Sequence, residues 1–291
     1  MFVDALGIVE KFTLPIIVSK RTFNGNVSSG LATFIIINEE GWVMTAAHVL
    51  SELGVIDIHK KELEDYQNKV KQIESDTSLI QQKKIKRISH LRTNPEWITN
   101  ISFWWGKDGV SIPNYNYDLQ IDLVIGKIEN FDKNSIPNYP IFKNPNSEFK
   151  PGTSLCKLGF PFHNVQTTFN TLNGSFNLDP NAFPAPRFPL DGIFTREAVF
   201  VDQVTRRESS FIEMSSPGLR GQSGGPIFDR DGIIWGLQSQ TITLPLGFSP
   251  KLIRNGREIE ENQFINLGLG TNVKEIIKFL DHHKVKYNLS E

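Results

Sequence analysis

Apolar and polar positions alternate in short runs through most of this chain, and that alternation predicts β-structure. ATFIIINEEGWVMTAAHVL (32–50) holds two apolar, β-branched runs around a polar turn ending in Gly41, the grammar of a hairpin. Further strands are predicted at LQIDLVIGKI (119–128), TSLCKLGF (153–160), REAVFVD (196–202), SSFIEMS (209–215), GIIWGLQSQTITL (232–244) and FINLGLG (264–270). Turn residues punctuate them at short intervals, which favours barrels or a sandwich over a parallel α/β sheet.

Two segments depart from this period. His59 to Arg87 contains no Gly or Pro and places Leu63, Tyr66, Val70 and Ile73 at helical spacing. TNVKEIIKFLDHH predicts a closing helix at about 271–284, with Thr271 or Asn272 as cap and Val273, Ile276, Ile277 and Leu280 on one face. The Pro- and Asn-rich run 134–152 reads as a linker between two β units, 1–133 and 153–291, with the helical insertion at about 55–100 inside the first.

Composition narrows the function classes. Lys+Arg 31 against Asp+Glu 32 gives a net charge of -1, so nothing global points to nucleic acid or an anionic membrane. One cysteine, Cys156, forms no internal disulfide and reads as a buried core residue. The first eighteen residues interrupt their apolar run with Asp4, Glu10 and Lys11 and match neither a signal peptide nor a membrane span, so a cytoplasmic location is expected. GxxxxGK[ST], HExxH and paired cysteines are absent, and no metal or cofactor is expected. Trp104-Trp105 reads as packing at a barrel rim, and His282-His283 as a solvated pair.

The remaining candidates carry acyl-transfer chemistry. His48 follows an apolar run in TAAHV, Asp122 precedes one in DLVIGKI, and Ser223 sits in GLRGQSGGPIFD. Taken singly, each has a plain reading: a core or surface histidine, a strand-edge carboxylate, a tight glycine turn. Together they supply a nucleophile, a base to take its proton, an anion to hold the base's tautomer, and a glycine turn that can aim N–H groups at an oxyanion. Asp118 competes with Asp122, four residues away on what reads as one strand face. Asp122 is preferred because Leu123, Val124 and Ile125 follow it without interruption.

The order His, Asp, Ser with TAAH, D-L-V-I and G-x-S-G-G-P resembles the trypsin-like (chymotrypsin-fold) serine peptidases, most closely the bacterial high-temperature-requirement, or Deg-type, protease domains. SSGLATFIIINEEGWVMTAAHVL, PGTSLCKLGFPF, DGIFTRE (read as a turn) and FINLGLGTNVKEIIKFL extend the likeness over most of the chain, with no PDZ domain expected after the closing helix. The resemblance implies an all-β fold of two six-stranded antiparallel barrels, with a helical insertion and a C-terminal helix. It implies Ser223 as nucleophile, His48 as base, Asp122 as orienting carboxylate, and the N–H groups of Gly221 and Ser223 as oxyanion hole. Gly224 and Gly225 would let the chain pass close beneath a substrate.

By alignment to the nucleophile, Pro217 takes the base of the specificity pocket, and Ser239, Gln240 and Thr241 take its wall. No acidic residue lies between Ser215 and Ser223, which argues against cleavage after Lys or Arg, and Thr241 implies a shallow site. Gln222 stands where zymogens carry an aspartate, so control by a partner or by loop ordering is expected instead of N-terminal cutting. The expected partners are a protein or peptide substrate and a regulatory protein at the 55–100 insertion, without nucleic acid or membrane. Two other readings stay open: a protease-like binding module with a latent or unused triad, and a non-peptidase acyl hydrolase.

Overall fold

The computed structural model describes residues 1–254 and 257–291. It opens on a helix the alternation does not announce, α1 (Val3–Val9), which buries Ala5 and Val9 and sets Phe2 edge-on against Phe228. Strands β1 (Thr13–Thr22), β2 (Val27–Ile36) and β3 (Trp42–Thr45) follow, then helices α2 (Glu52–Ser75) and α3 (Gln81–Ser89). Strands β4 (Ile98–Trp105), β5 (Tyr115–Asp118) and β6 (Leu123–Lys127) complete a six-stranded antiparallel sheet in the order β4-β1-β2-β3-β6-β5.

The second unit comprises β7 (Ile141–Phe142), β8 (Ser154–Gly159), the hairpin β9 (Thr167–Asn170) and β10 (Ser175–Leu178), β11 (Phe188–Val201) and β12 (Glu208–Met214). It continues with β13 (Pro226–Phe228), β14 (Ile234–Pro245), a hairpin of β15 (Lys251–Arg254) and β16 (Arg257–Glu260), β17 (Phe264–Asn272), helix α4 (Val273–His282) and β18 (Asn288–Leu289). Hydrogen bonding runs β13-β8-β11-β12-β17-β14, and β14 pairs with β13 again, so six antiparallel strands form a closed ring. The short β7 and β18 add to it in parallel. The fold is thus the expected chymotrypsin-like pair of barrels with a helical insertion and a C-terminal helix, and with those helices it is mostly β.

Leu155, Phe194, Ile212, Met214, Ile227 and Trp235 fill the inside of the ring. A larger cluster is shared between the sheets: Phe34, Met44 and Leu123 from the first, Leu158, Phe228 and Leu237 from the second. Helix α4 adds Val273, Ile276, Ile277 and Leu280, the four residues expected on its apolar face. Its cap is Asn272, whose side chain accepts from the Lys274 N–H at 3.0 Å, while Thr271 stays in β17.

Three local readings are corrected. The predicted strand 119–128 starts only at Leu123, because Leu119 to Asp122 form a turn. DGIFTRE is no turn but the middle of β11, which shifts register between Phe194 and Arg196 as it leaves β8 for β12. The helical segment is two helices, broken where the Asp76 carboxylate takes the Ser78 N–H at 2.9 Å and competes with the helix ladder.

The insertion is lightly held. Among its helical residues only Ile56 is buried, and the stripe Leu63, Tyr66, Val70 and Ile73 is half-buried. Tyr66 packs on Phe23 and Trp97, and His59 Nδ1 accepts the Ile98 N–H at 2.9 Å. The two clusters therefore differ in what they support. Ile276→Ala should cost about 2–5 kcal/mol, the range for emptying a fully buried aliphatic site. Replacing 60–90 by a short Gly/Ser linker should leave a cooperative transition; urea denaturation followed by tryptophan fluorescence measures both.

Candidate active site

Register brings the first two candidates together. Thr45 pairs with Val124, so the residues after β3 and before β6 emerge at the same end of the sheet. His48 lies there in a single 3-10 turn, Ala47–Leu50, and Asp122 in the turn ahead of β6 with φ of 52°. That left-handed conformation suits aspartate better than most side chains. It lets Asp122 face back: its carbonyl accepts the Ala47 N–H at 3.2 Å and its Oδ1 the His48 N–H at 2.9 Å.

His48 Nδ1 is 2.8 Å from Asp122 Oδ2, and Nε2 is 2.9 Å from Ser223 Oγ. With Nδ1–H donated to the carboxylate, Nε2 is left as an acceptor for the serine hydroxyl. The hydrogen bond to Asp122 holds the imidazole above its ordinary value; partial burial opposes this, and the carboxylate charge adds to it. Ser239 Oγ donates to Asp122 Oδ2 at 2.5 Å from the other barrel. Ser239 is thus engaged with the carboxylate, while its residue also lines the open groove beside His48. Asp118 pairs with Arg207 at 2.6 Å and caps the turn through Gln120 N–H, away from His48.

Ser223 sits in the turn before β13. Gly221 has φ of 95°, and a Cβ there would lie 2.4 Å from the Phe160 carbonyl oxygen, so the position excludes side chains on both counts. Its own carbonyl is held by Thr33 Oγ1 at 2.7 Å and Phe160 N–H at 3.0 Å. The flanking N–H groups are engaged: Gln222 to Leu219 O at 2.9 Å, Gly224 to Gln238 O at 2.8 Å. Among the described residues no acceptor is assigned to the Gly221 and Ser223 N–H groups. The expected role of Gly224 is corrected. A Cβ on it would lie 2.0 Å from Thr45 Oγ1 and 2.3 Å from Thr33 O, so the close approach is to the opposite barrel, not to a substrate.

The pocket residues divide. Gln240 lines an open groove with His48, Leu119, Gln120 and Phe211. Thr241 Oγ1 accepts the Gly218 N–H and donates to the Gly218 carbonyl, both at 2.8 Å, tying β14 to the segment before the nucleophile. The carbonyl of Pro217 accepts from Lys157 Nζ at 2.5 Å. Sequence reasoning missed Lys157, Thr33 and Thr271, whose Oγ1 donates to Ile121 O at 2.6 Å beside the Asp122 turn. The signal for Lys157 was present: a lysine enclosed by apolar neighbours in LCKLGF. Gln222 Oε1 accepts the Leu219 N–H at 3.0 Å, but its Nε2 is buried without a partner.

Other candidates stay outside this chemistry. Burial pushes the Cys156 thiol up to about 12, which makes it inert, and Trp105 is buried against Phe34. Among the described residues no three His, Cys, Asp or Glu are grouped to hold a metal, and no helix is long and apolar enough to cross a membrane.

The family described as trypsin-like peptidase domain matches residues 32–237. Solved structures of the Rv3671c protease of M. tuberculosis are similar at 13% identity. The active form is covered over 86% of its chain by 98% of this one, with a TM-score of 0.47. The inactive form is covered over 92% by 96% of this one, at 0.45. No curated protein matches the sequence.

The cross-barrel contacts are testable by stability. Thr33→Val keeps the shape but removes the hydroxyl donated to Gly221 O, and should cost about 1 kcal/mol, the net worth of one hydrogen bond. Asp118→Asn breaks an ion pair with an exposed arginine and should change stability by less than about 1 kcal/mol. Urea midpoints compare the two.

Proposed function

The chain belongs to the trypsin-like peptidase family, as a trypsin-like serine protease, and from that premise we propose that it is an endopeptidase working through Ser223, His48 and Asp122. The observation that carries this reading is the unbroken line Ser223 Oγ–His48–Asp122, with both links at 2.8–2.9 Å.

In this reaction Ser223 Oγ attacks the scissile carbonyl carbon and its proton passes to His48 Nε2. Negative charge moves to the carbonyl oxygen, where the unpaired N–H groups of Gly221 and Ser223 stabilise it. Asp122 holds the ring in place and stabilises the imidazolium that forms. The tetrahedral adduct collapses as His48 returns the proton to the leaving amine. Water, deprotonated by the same nitrogen, then releases the acid from the acyl-enzyme and regenerates Ser223.

Regulation by loop ordering is the second part of the proposal. The Thr241–Gly218 tie across the pocket mouth supports it, since a substrate side chain entering between those walls must displace it. The lightly held helical insertion is the proposed docking place for a regulatory protein, between His48 and Asp122 in sequence.

A fluorophosphonate probe should form an adduct on Ser223, located by mass spectrometry, and Ser223→Ala should abolish it; labelling that persists overturns the assignment. Asp122→Asn should lower turnover by about 10,000-fold, as expected for a base held in the wrong tautomer, while Asp118→Asn should not. The base must be neutral to accept a proton, and its folded-state value is raised. Activity should therefore fall as pH drops, with a midpoint above the 6.5 of an ordinary histidine.

A further inference from the structure

Lys157 is fully buried in β8, and its ammonium lies at the foot of the loop that leads to the nucleophile. Two of its N–H bonds go to the carbonyl oxygens of Ser216 (2.8 Å) and Pro217 (2.5 Å). Among the described residues no carboxylate comes within ion-pair distance of it. Desolvation alone pulls its value down to about 7, with only the Cys156 thiol acting the other way. A buried cation without a counter-ion costs several kcal/mol, so a lysine here is unfavourable for stability alone. Carbonyl dipoles offset part of that cost and leave its charge unneutralised.

The surroundings share this incompleteness. Among the described residues four buried side-chain atoms lack a hydrogen-bond partner, and three of them belong to this region: Ser216 Oγ, Gln222 Nε2 and Gln238 Oε1. Gln238 Nε2 would lie 2.3 Å from a Cβ on Gly218, so its amide packs directly on the pocket wall. Gly268, on β17 opposite, carries no side chain; a Cβ there would stand 2.9 Å from Lys157 Nζ and 3.2 Å from the Gly218 N–H. The missing side chain lets β17 pass directly against the ammonium, so that only backbone covers it on the side of Gly218. Native interiors leave few such groups unpaired, and a cluster of them marks a place that a water, an ion or an incoming polar group completes.

We infer that Lys157 is the specificity-determining residue of this protease, and that it selects an acidic side chain, Glu or Asp, on the residue whose carbonyl Ser223 attacks. The carboxylate enters between Pro217–Gly218 and Gln240–Thr241, displaces the Thr241 hydroxyl from Gly218, and accepts from Lys157 Nζ and Ser216 Oγ. The ion pair neutralises the buried charge, and the absence of an acidic residue between Ser215 and Ser223 removes the repulsion that would oppose it. This rests on the peptidase reading above and adds its substrate class.

The test uses peptidyl diphenyl phosphonates, in which Ser223 Oγ attacks phosphorus and phenoxide leaves, with Glu, Gln, Asp or Asn at the position next to phosphorus. The full chain should react with the Glu or the Asp probe about 10- to 100-fold faster than with its amide counterpart, the worth of a hydrogen bond between charged groups. Lys157→Met should bring that ratio to about one, and Gly268→Ala, which places a methyl over the ammonium, should lower it. Ratios near one for both acid–amide pairs in the wild type, or no reaction with any of the four while the fluorophosphonate still labels Ser223, overturn the inference and leave the peptidase reading standing. If the fluorophosphonate itself does not label, both fall. The wild-type ratio decides even if a variant does not fold.

Discussion

The carboxylate of Asp122 is the point on which the two barrels must agree. It accepts from the His48 backbone and ring on its own side, and from Ser239 Oγ on the far side, so neither barrel alone satisfies it. A partly satisfied carboxylate in this position is unfavourable, because desolvation is not repaid by a single contact. The neighbouring links repeat the arrangement. Thr271 reaches from β17 to Ile121 O, and Thr33 from β2 to Gly221 O. Each is worth only about 1 kcal/mol, but together they fix the position of one barrel on the other.

Packing supplies the rest of the force. The largest cluster runs across both barrels and under α4, whereas the second barrel's own interior is smaller. Gly224 is pressed between Thr33 and Thr45, where any side chain would separate the sheets. The serine is thereby held against the histidine by apolar burial and close backbone approach. The helical insertion sits outside this system. It buries little, which allows its surface to vary without disturbing the site.

The nucleophile loop combines rigidity with unmet polar demand. Gly221 is clamped through its carbonyl, while its N–H and that of Ser223 are left without acceptors. Just beneath, Ser216, Gln222 and Gln238 each carry a buried polar atom without a hydrogen-bond partner, beside Lys157, whose ammonium meets only carbonyl oxygens. Such incompleteness is unusual in a protein interior and, among the described residues, is concentrated beneath the nucleophile loop.

The sequence determined the strands β2, β3, β6, β8, β12, β14 and β17, the closing helix with its apolar face of Val273, Ile276, Ile277 and Leu280, and the three side chains on which the proposed chemistry rests. These are legible because strand alternation, helical spacing and a glycine-rich turn are local patterns, written in neighbouring residues. The left-handed turn at Asp122 was not legible: an aspartate before an apolar run looks like the start of a strand whichever way its backbone turns. The apolar run pointed to Asp122 over Asp118, but their partners were not legible, because Arg207 and Ser239 lie 89 and 117 residues away. The engagement of Gly224 with the facing barrel and of Lys157 with the Ser216 and Pro217 carbonyls belongs to the same class. Both are contacts between segments far apart in the chain, and only the closing of two barrels onto one core decides which of those segments meet.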